Sequence, residues 1–97
     1  MRIIARSTLR SFWEKHSDAE QPLKVWFAEA SRATWRNPNE IKTLYANASI
    51  IANNRVVFNI NGNSYRLIVH LRYDISIIFI RFVGTHEQYD KIDAATI

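Results

Sequence analysis

The stretch Arg55-Val56-Val57-Phe58-Asn59-Ile60-Asn61-Gly62-Asn63-Ser64-Tyr65-Arg66-Leu67-Ile68-Val69-His70-Leu71 decides the fold. Two alternating, β-branched runs, Arg55 to Ile60 and Tyr65 to Leu71, flank an Asn-Gly-Asn turn. β-Branched side chains suit a pleated surface, and Asn and Gly tolerate the left-handed backbone that a tight hairpin needs. A further turn at Tyr73 to Ser76 and an apolar run from Ile77 to Phe82 extend the hairpin into a three-stranded antiparallel meander.

Period-two alternation predicts the faces of these strands. Leu67, Val69 and Leu71 share one side, with Arg66, Ile68 and His70 on the other. In the third strand Ile78, Ile80 and Phe82 oppose Ile77, Phe79 and Arg81. If Leu67 and Ile80 lie on the covered side, Arg66 and Arg81 share the uncovered one. That outcome depends on register, which sequence does not print.

Beyond Phe82 the strand is expected to break at Gly84. Thr85 and Gln88 have capping-box spacing, so a short helix should start at once. On it His86, Tyr89 and Asp90 fall at i, i+3 and i+4, on one face.

Upstream, Arg2 to Ala5 reads as a short first strand. Ser7 is the expected N-cap of a helix whose Leu9, Phe12, Trp13 and His16 form one stripe. Pro22 is expected at the first position of a second helix carrying Leu23, Trp26, Phe27 and Ala30, which ends at Asn37-Pro38. A third helical piece spans Asn39 to Ala46, with Ile41, Leu44 and Tyr45 inward. The class is α+β: two or three helices on one face of a small, mainly antiparallel sheet, closed by a short C-terminal helix. Residues 1–97 are expected to form a single domain.

Composition narrows the function classes. With 47% apolar residues and twelve aromatic rings the chain is a packed globule, not a disordered tail. It has no cysteine, so disulfides and thiolate metal sites are excluded, in keeping with a reducing cytoplasm. Its three histidines, His16, His70 and His86, are scattered without a carboxylate at ligand spacing, so no metal or other cofactor is expected. Neither a secretory signal nor an 18-residue apolar run is present, and no membrane role is expected. Nine arginines against four lysines, at net charge +4, favour bidentate phosphate contacts. A basic surface also serves solubility alone.

The block Val57 to Val69, with Phe79-Ile80-Arg81-Phe82-Val83-Gly84-Thr85-His86-Glu87-Gln88-Tyr89-Asp90, resembles the HigB toxins of bacterial type II toxin–antitoxin systems, within the RelE-like group. Arg2-Ile3-Ile4, Phe12-Trp13-Glu14 and Trp26 fit it too, so the resemblance covers nearly the whole chain. It departs at Asn61-Gly62, where Gly-Gly is usual; Asn accepts a left-handed conformation, so the hairpin should survive. The resemblance implies a RelE-like fold and a metal-independent endoribonuclease (mRNA interferase) that cuts mRNA on the ribosome. It implies a HigA-like helix-turn-helix antitoxin as partner, with DNA reached only through that antitoxin.

For such a reaction the chain offers His86 as proton-transfer group, Arg81 and Arg66 as phosphate clamps, and Tyr89 for stacking or proton donation. Arg55, Lys91 and His70 are further RNA-contact candidates, His70 only if its face is the open one. Each also has a plain structural reading: a helix decoration, a solvated strand-end charge, a core aromatic. Trp13 and Trp26 fall on packing stripes, whereas Trp35 reads equally as core edge or partner contact. The competing functions are a non-catalytic RNA-binding module and a subunit that docks an acidic partner.

Overall fold

The hairpin sits inside a five-stranded sheet of order β1-β5-β4-β3-β2 in the computed structural model, which describes residues 1–97. Its strands are β1 (Arg2–Ile4), β2 (Ser49–Ile51), β3 (Arg55–Ile60), β4 (Tyr65–Arg72) and β5 (Ile77–Thr85). Helices α1 (Arg6–Lys15), α2 (Glu20–Arg32) and α3 (Pro38–Leu44) precede β2, with a 3₁₀ turn at Ser17–Ala19, and α4 (His86–Tyr89) follows β5. The three central strands are antiparallel as expected; β1 joins the edge parallel to β5. Edge strand β2, only three residues long, was not anticipated, because so short a run carries little alternation.

The hairpin turn behaves as its composition requires. Asn61 and Gly62 both take positive φ, 54° and 65°. Asparagine therefore supports the left-handed backbone that this tight hairpin needs.

Helix boundaries differ from expectation in instructive ways. Helix α1 starts at Arg6, so Ala5 and not Ser7 stands at its N-cap, without a side-chain cap. The chain turns directly off the edge strand, leaving no room for a separate cap segment. His16 lies just past the last turn of α1, stacked on Phe12 with centroids 4.4 Å apart. Helix α2 begins at Glu20, which puts Pro22 third, still within the turn whose N–H groups have no intrahelical acceptor. Asn37-Pro38 starts α3 instead of ending α2: the Asn37 side chain accepts from Glu40 N at 3.1 Å and proline takes the first turn. Leu44, expected inward, is half exposed, because α3 ends there.

All three long helices cover one sheet face. The core between them joins Leu9, Trp13, Leu23, Trp26 and Ile41 to Phe58, Leu67, Val69, Leu71 and Ile78. Trp35 belongs to this core, 6% exposed and packed against Phe58 and Tyr45. That settles its two readings in favour of packing.

A β-bulge sets the other face. Leu67 pairs with Val83 and Ile68 with Phe82, but Val69 pairs with Ile80, leaving Arg81 as the extra residue. Strict alternation puts Phe82 with Ile78 and Ile80; the bulge breaks that alternation and pairs Phe82 with Ile68. Strand β5 also runs through Gly84 to Thr85 and does not break at the glycine.

Candidate active site

Register fixes which side chains share the uncovered face. Arg55 pairs with His70 and His70 with Phe79; Asn59 pairs with Arg66 and Arg66 with Gly84. At the edge, Arg72 pairs with Ile77 and Ile77 with Arg2. Arg2, Arg55, Arg66, Arg72 and the bulged Arg81 therefore stand on one side of the sheet, and no strand carries an acidic residue. Arg72 is engaged by Asp74 of the adjoining turn, 2.8 Å away. The sequence condition for Arg66 and Arg81 to share a face is met, because Leu67 and Ile80 both lie on the helix side. His70 lies on the open face as well.

The candidate residues divide into two groups along β4. At one end are Arg66, Tyr89, His86 and Asp90. The capping box forms as read: Thr85 Oγ1 accepts from Gln88 N at 3.1 Å, and Gln88 Oε1 accepts from Thr85 N at 2.9 Å. This starts α4 directly after β5 and presents His86. Its Nδ1 lies 3.1 Å from Asp90 Oδ2, with both side chains more than half exposed. An ionised carboxylate only accepts, so Nδ1 carries the proton and Nε2 is left as the basic nitrogen. Across from them the Arg66 guanidinium carbon is 5.8 Å from the Tyr89 ring centroid, and Arg66 Nη1 donates to Asn63 O at 3.0 Å. Such a cation over a ring holds both groups in place.

At the other end are Arg55, His70 and Arg81. His70 lies four residues along β4 from Arg66, or about 13 Å at strand rise. Burial, and then Arg55, Arg81 and Arg72, push the His70 imidazole below its ordinary value, which keeps the ring neutral near pH 7. Arg55 Nη2 and Arg81 Nε both donate to the Ile97 main-chain oxygen, at 2.7 and 3.3 Å. Lys91 joins neither group; it is 74% exposed with only Glu87 near it, at 3.9 Å.

The groups thus lie along one face and not in one hollow. The four clefts of the molecule are elsewhere; one, lined by Ser11, Phe12, His16 and Phe82 among others, opens beside α1. No three histidine or acidic side chains group as a metal site would require. Arg72 and Arg2 join the face beyond the residues expected from sequence, and Asp90 gains a role beside His86. Asp90 was legible as the i+4 partner of His86, and Arg72 shares the parity of Arg66 and His70. Arg2 had no signal, because the parallel pairing of β1 is a long-range contact.

The family model described as "HigB_toxin, RelE-like toxic component of a toxin-antitoxin system" matches residues 19–92. The mRNA interferase toxin HigB of Escherichia coli (strain K12) is 23% identical over 96 residues, covering 97% of this chain and 92% of that protein. The mRNA interferases HigB of Escherichia coli O157:H7 and Shigella flexneri match equally. No helix is long and apolar enough to cross a membrane. A family match over three quarters of the sequence, on an α+β sheet with helices on one face, makes this chain a member of the HigB toxin family, the RelE-like toxic component of a toxin–antitoxin system whose counterpart is an antitoxin.

Proposed function

We propose that this toxin is a metal-independent endoribonuclease that cleaves mRNA on the ribosome in the cytoplasm, residues 1–97 acting as one domain. One observation carries the reading: an acid-free sheet face with five arginines ends at an imidazole held by a carboxylate. A polyanion is drawn to such a face, and a base at its end acts on what is bound.

In the reaction the RNA 2′-oxygen attacks the adjacent phosphorus and the bond from phosphorus to the 5′-oxygen breaks. The 2′-hydroxyl proton leaves to a base, and the departing 5′-oxygen takes up a proton. His86 Nε2 is the proton-transfer group, and Asp90 is a positioning residue that fixes its tautomer. Arg66, beside Tyr89 and His86, neutralises the charge that grows on the phosphoryl oxygens, which suits a group that never loses its protons, while Arg81, at the other end of the face, holds a flanking phosphate. Tyr89, steadied by Arg66, stacks on a splayed base or supplies the second proton. Arg55 and His70 contact the flanking backbone; Lys91 adds only charge. The neutralising partner is a HigA-like antitoxin with a helix-turn-helix domain, through which alone the complex meets DNA.

Expression of the wild-type chain should arrest growth, with cleaved mRNA, and co-expressed antitoxin should relieve it. His86→Ala and Arg81→Ala proteins that remain folded should lose both effects. Salt-sensitive RNA binding without cleavage would instead make this a non-catalytic RNA module. Binding only to an acidic protein partner would make it a docking subunit.

A further inference from the structure

Residues 93–97 fold back over the cationic face. Asn53 Nδ2, in the β2–β3 turn, donates to Ala95 O at 3.0 Å. Within the segment, Ala95 N donates to the Asp93 carboxylate, and Thr96 N and Ile97 N both donate to Asp93 O. The turn so formed delivers the Ile97 oxygen to Arg55 and Arg81. Two guanidinium groups from neighbouring parts of a sheet converge on one oxygen, an arrangement that a phosphate oxygen would equally satisfy. Two further observations indicate a covered site. Arg55 Nε is buried without any hydrogen-bond partner. Val57 and Ile68 point away from the helices, yet are only 3% and 0% exposed.

We propose that segment 93–97 is an intramolecular latch that occupies the Arg55–Arg81 phosphate position and must be displaced before RNA can use it. This rests on the reading of the face as an RNA site. The segment has few holds: small side chains, one asparagine amide and two arginine contacts, so a stronger anion displaces it. RNA affinity is then lowered by the fraction of molecules whose latch is closed.

The test uses the full chain and a 2′-O-methyl RNA hexanucleotide, which lacks the attacking hydroxyl. Asn53→Gly keeps the left-handed backbone at φ 63° and removes the amide that holds Ala95. Adding Ala94→Gly and Ala95→Gly loosens the segment while Arg55 and Arg81 remain. The triple variant should bind about tenfold more tightly than the parent at fixed salt. Arg55→Gln/Arg81→Gln should bind at least about tenfold more weakly. In the unaltered chain, RNA should strip hydrogen-exchange protection from the Thr96 and Ile97 amides. Unchanged or weaker binding by the triple variant, or retained protection, overturns the latch while leaving the RNA face intact. Undiminished binding by the double arginine variant overturns the RNA face, and the latch with it.

Discussion

Gly84→Ala examines the joint on which the candidate site depends. Gly84 has no left-handed backbone to explain it. Its reason is space: a Cβ there would lie 2.5 Å from Phe82 Cζ and 2.7 Å from Gln88 Oε1. Ordinary contacts between carbon atoms are about 3.5–4 Å, so both neighbours must retreat by roughly 1 Å. Each is the far end of a side chain and can swing, which keeps the cost moderate. Gln88 must give up its bond to the Thr85 amide, about 1 kcal/mol. Turning the Phe82 ring off its preferred rotamer adds about 0.5–1.5 kcal/mol. The total of about 2 kcal/mol corresponds to a Tm fall of about 8–16 °C for a domain of this size, read by circular dichroism. Activity should fall further than stability, because loss of the Gln88 cap loosens the α4 start that aims His86, and a misplacement of about 1 Å costs on the order of 100-fold. RNA cleavage is therefore measured well below the new Tm. Thr85→Val serves as a control, losing about 1 kcal/mol from the cap without adding a clash. A Gly84→Ala protein with wild-type Tm and wild-type cleavage would refute the argument that the missing side chain lets α4 close on β5.

Other outcomes follow from the same geometry. His86→Ala should reduce single-turnover cleavage by about 10²–10⁴, and Asp90→Asn by less, with a displaced pH–rate profile; an Asp90→Asn profile superimposable on wild type would remove Asp90 as a positioning residue. The slope of log affinity against log salt for single-stranded RNA should flatten by about 0.7 for each of Arg55, Arg66 and Arg81 changed to Gln, and an unchanged slope would take that arginine off the phosphate path. His70 titrates below the ordinary 6.5 in the folded protein, so its contribution is fully present above that pH. As pH falls through 6.5 the unfolded chain takes up the proton first, and stability declines until the native ring also titrates. Urea midpoints between pH 7.5 and 5 should show this decline in wild type and less of it in His70→Gln. Trp26→Ala should cost about 3–5 kcal/mol, a Tm fall of about 12–40 °C by circular dichroism, because Trp26 is 2% exposed and seals α2 against Phe58.

The amino-acid order alone determined the hairpin, the turn at Asn61-Gly62 and the capping box at Thr85. These depend on local backbone preferences and on spacings of two to four residues, which a sequence displays directly. The stripe that buries Trp13 and Trp26 was legible for the same reason. Helix ends were less so, since Ser7 and Pro22 were outweighed by where the chain leaves β1 and the 3₁₀ turn. Tertiary structure decided the site. The bulge at Arg81 and the parallel pairing of β1 arise from contacts between distant segments, and they collect five arginines on one face. The fold of residues 93–97 onto Arg55 and Arg81 is likewise a matter of which surfaces meet. Alternation names two faces of a strand, but only the neighbouring strands and the covering helices choose which one faces water.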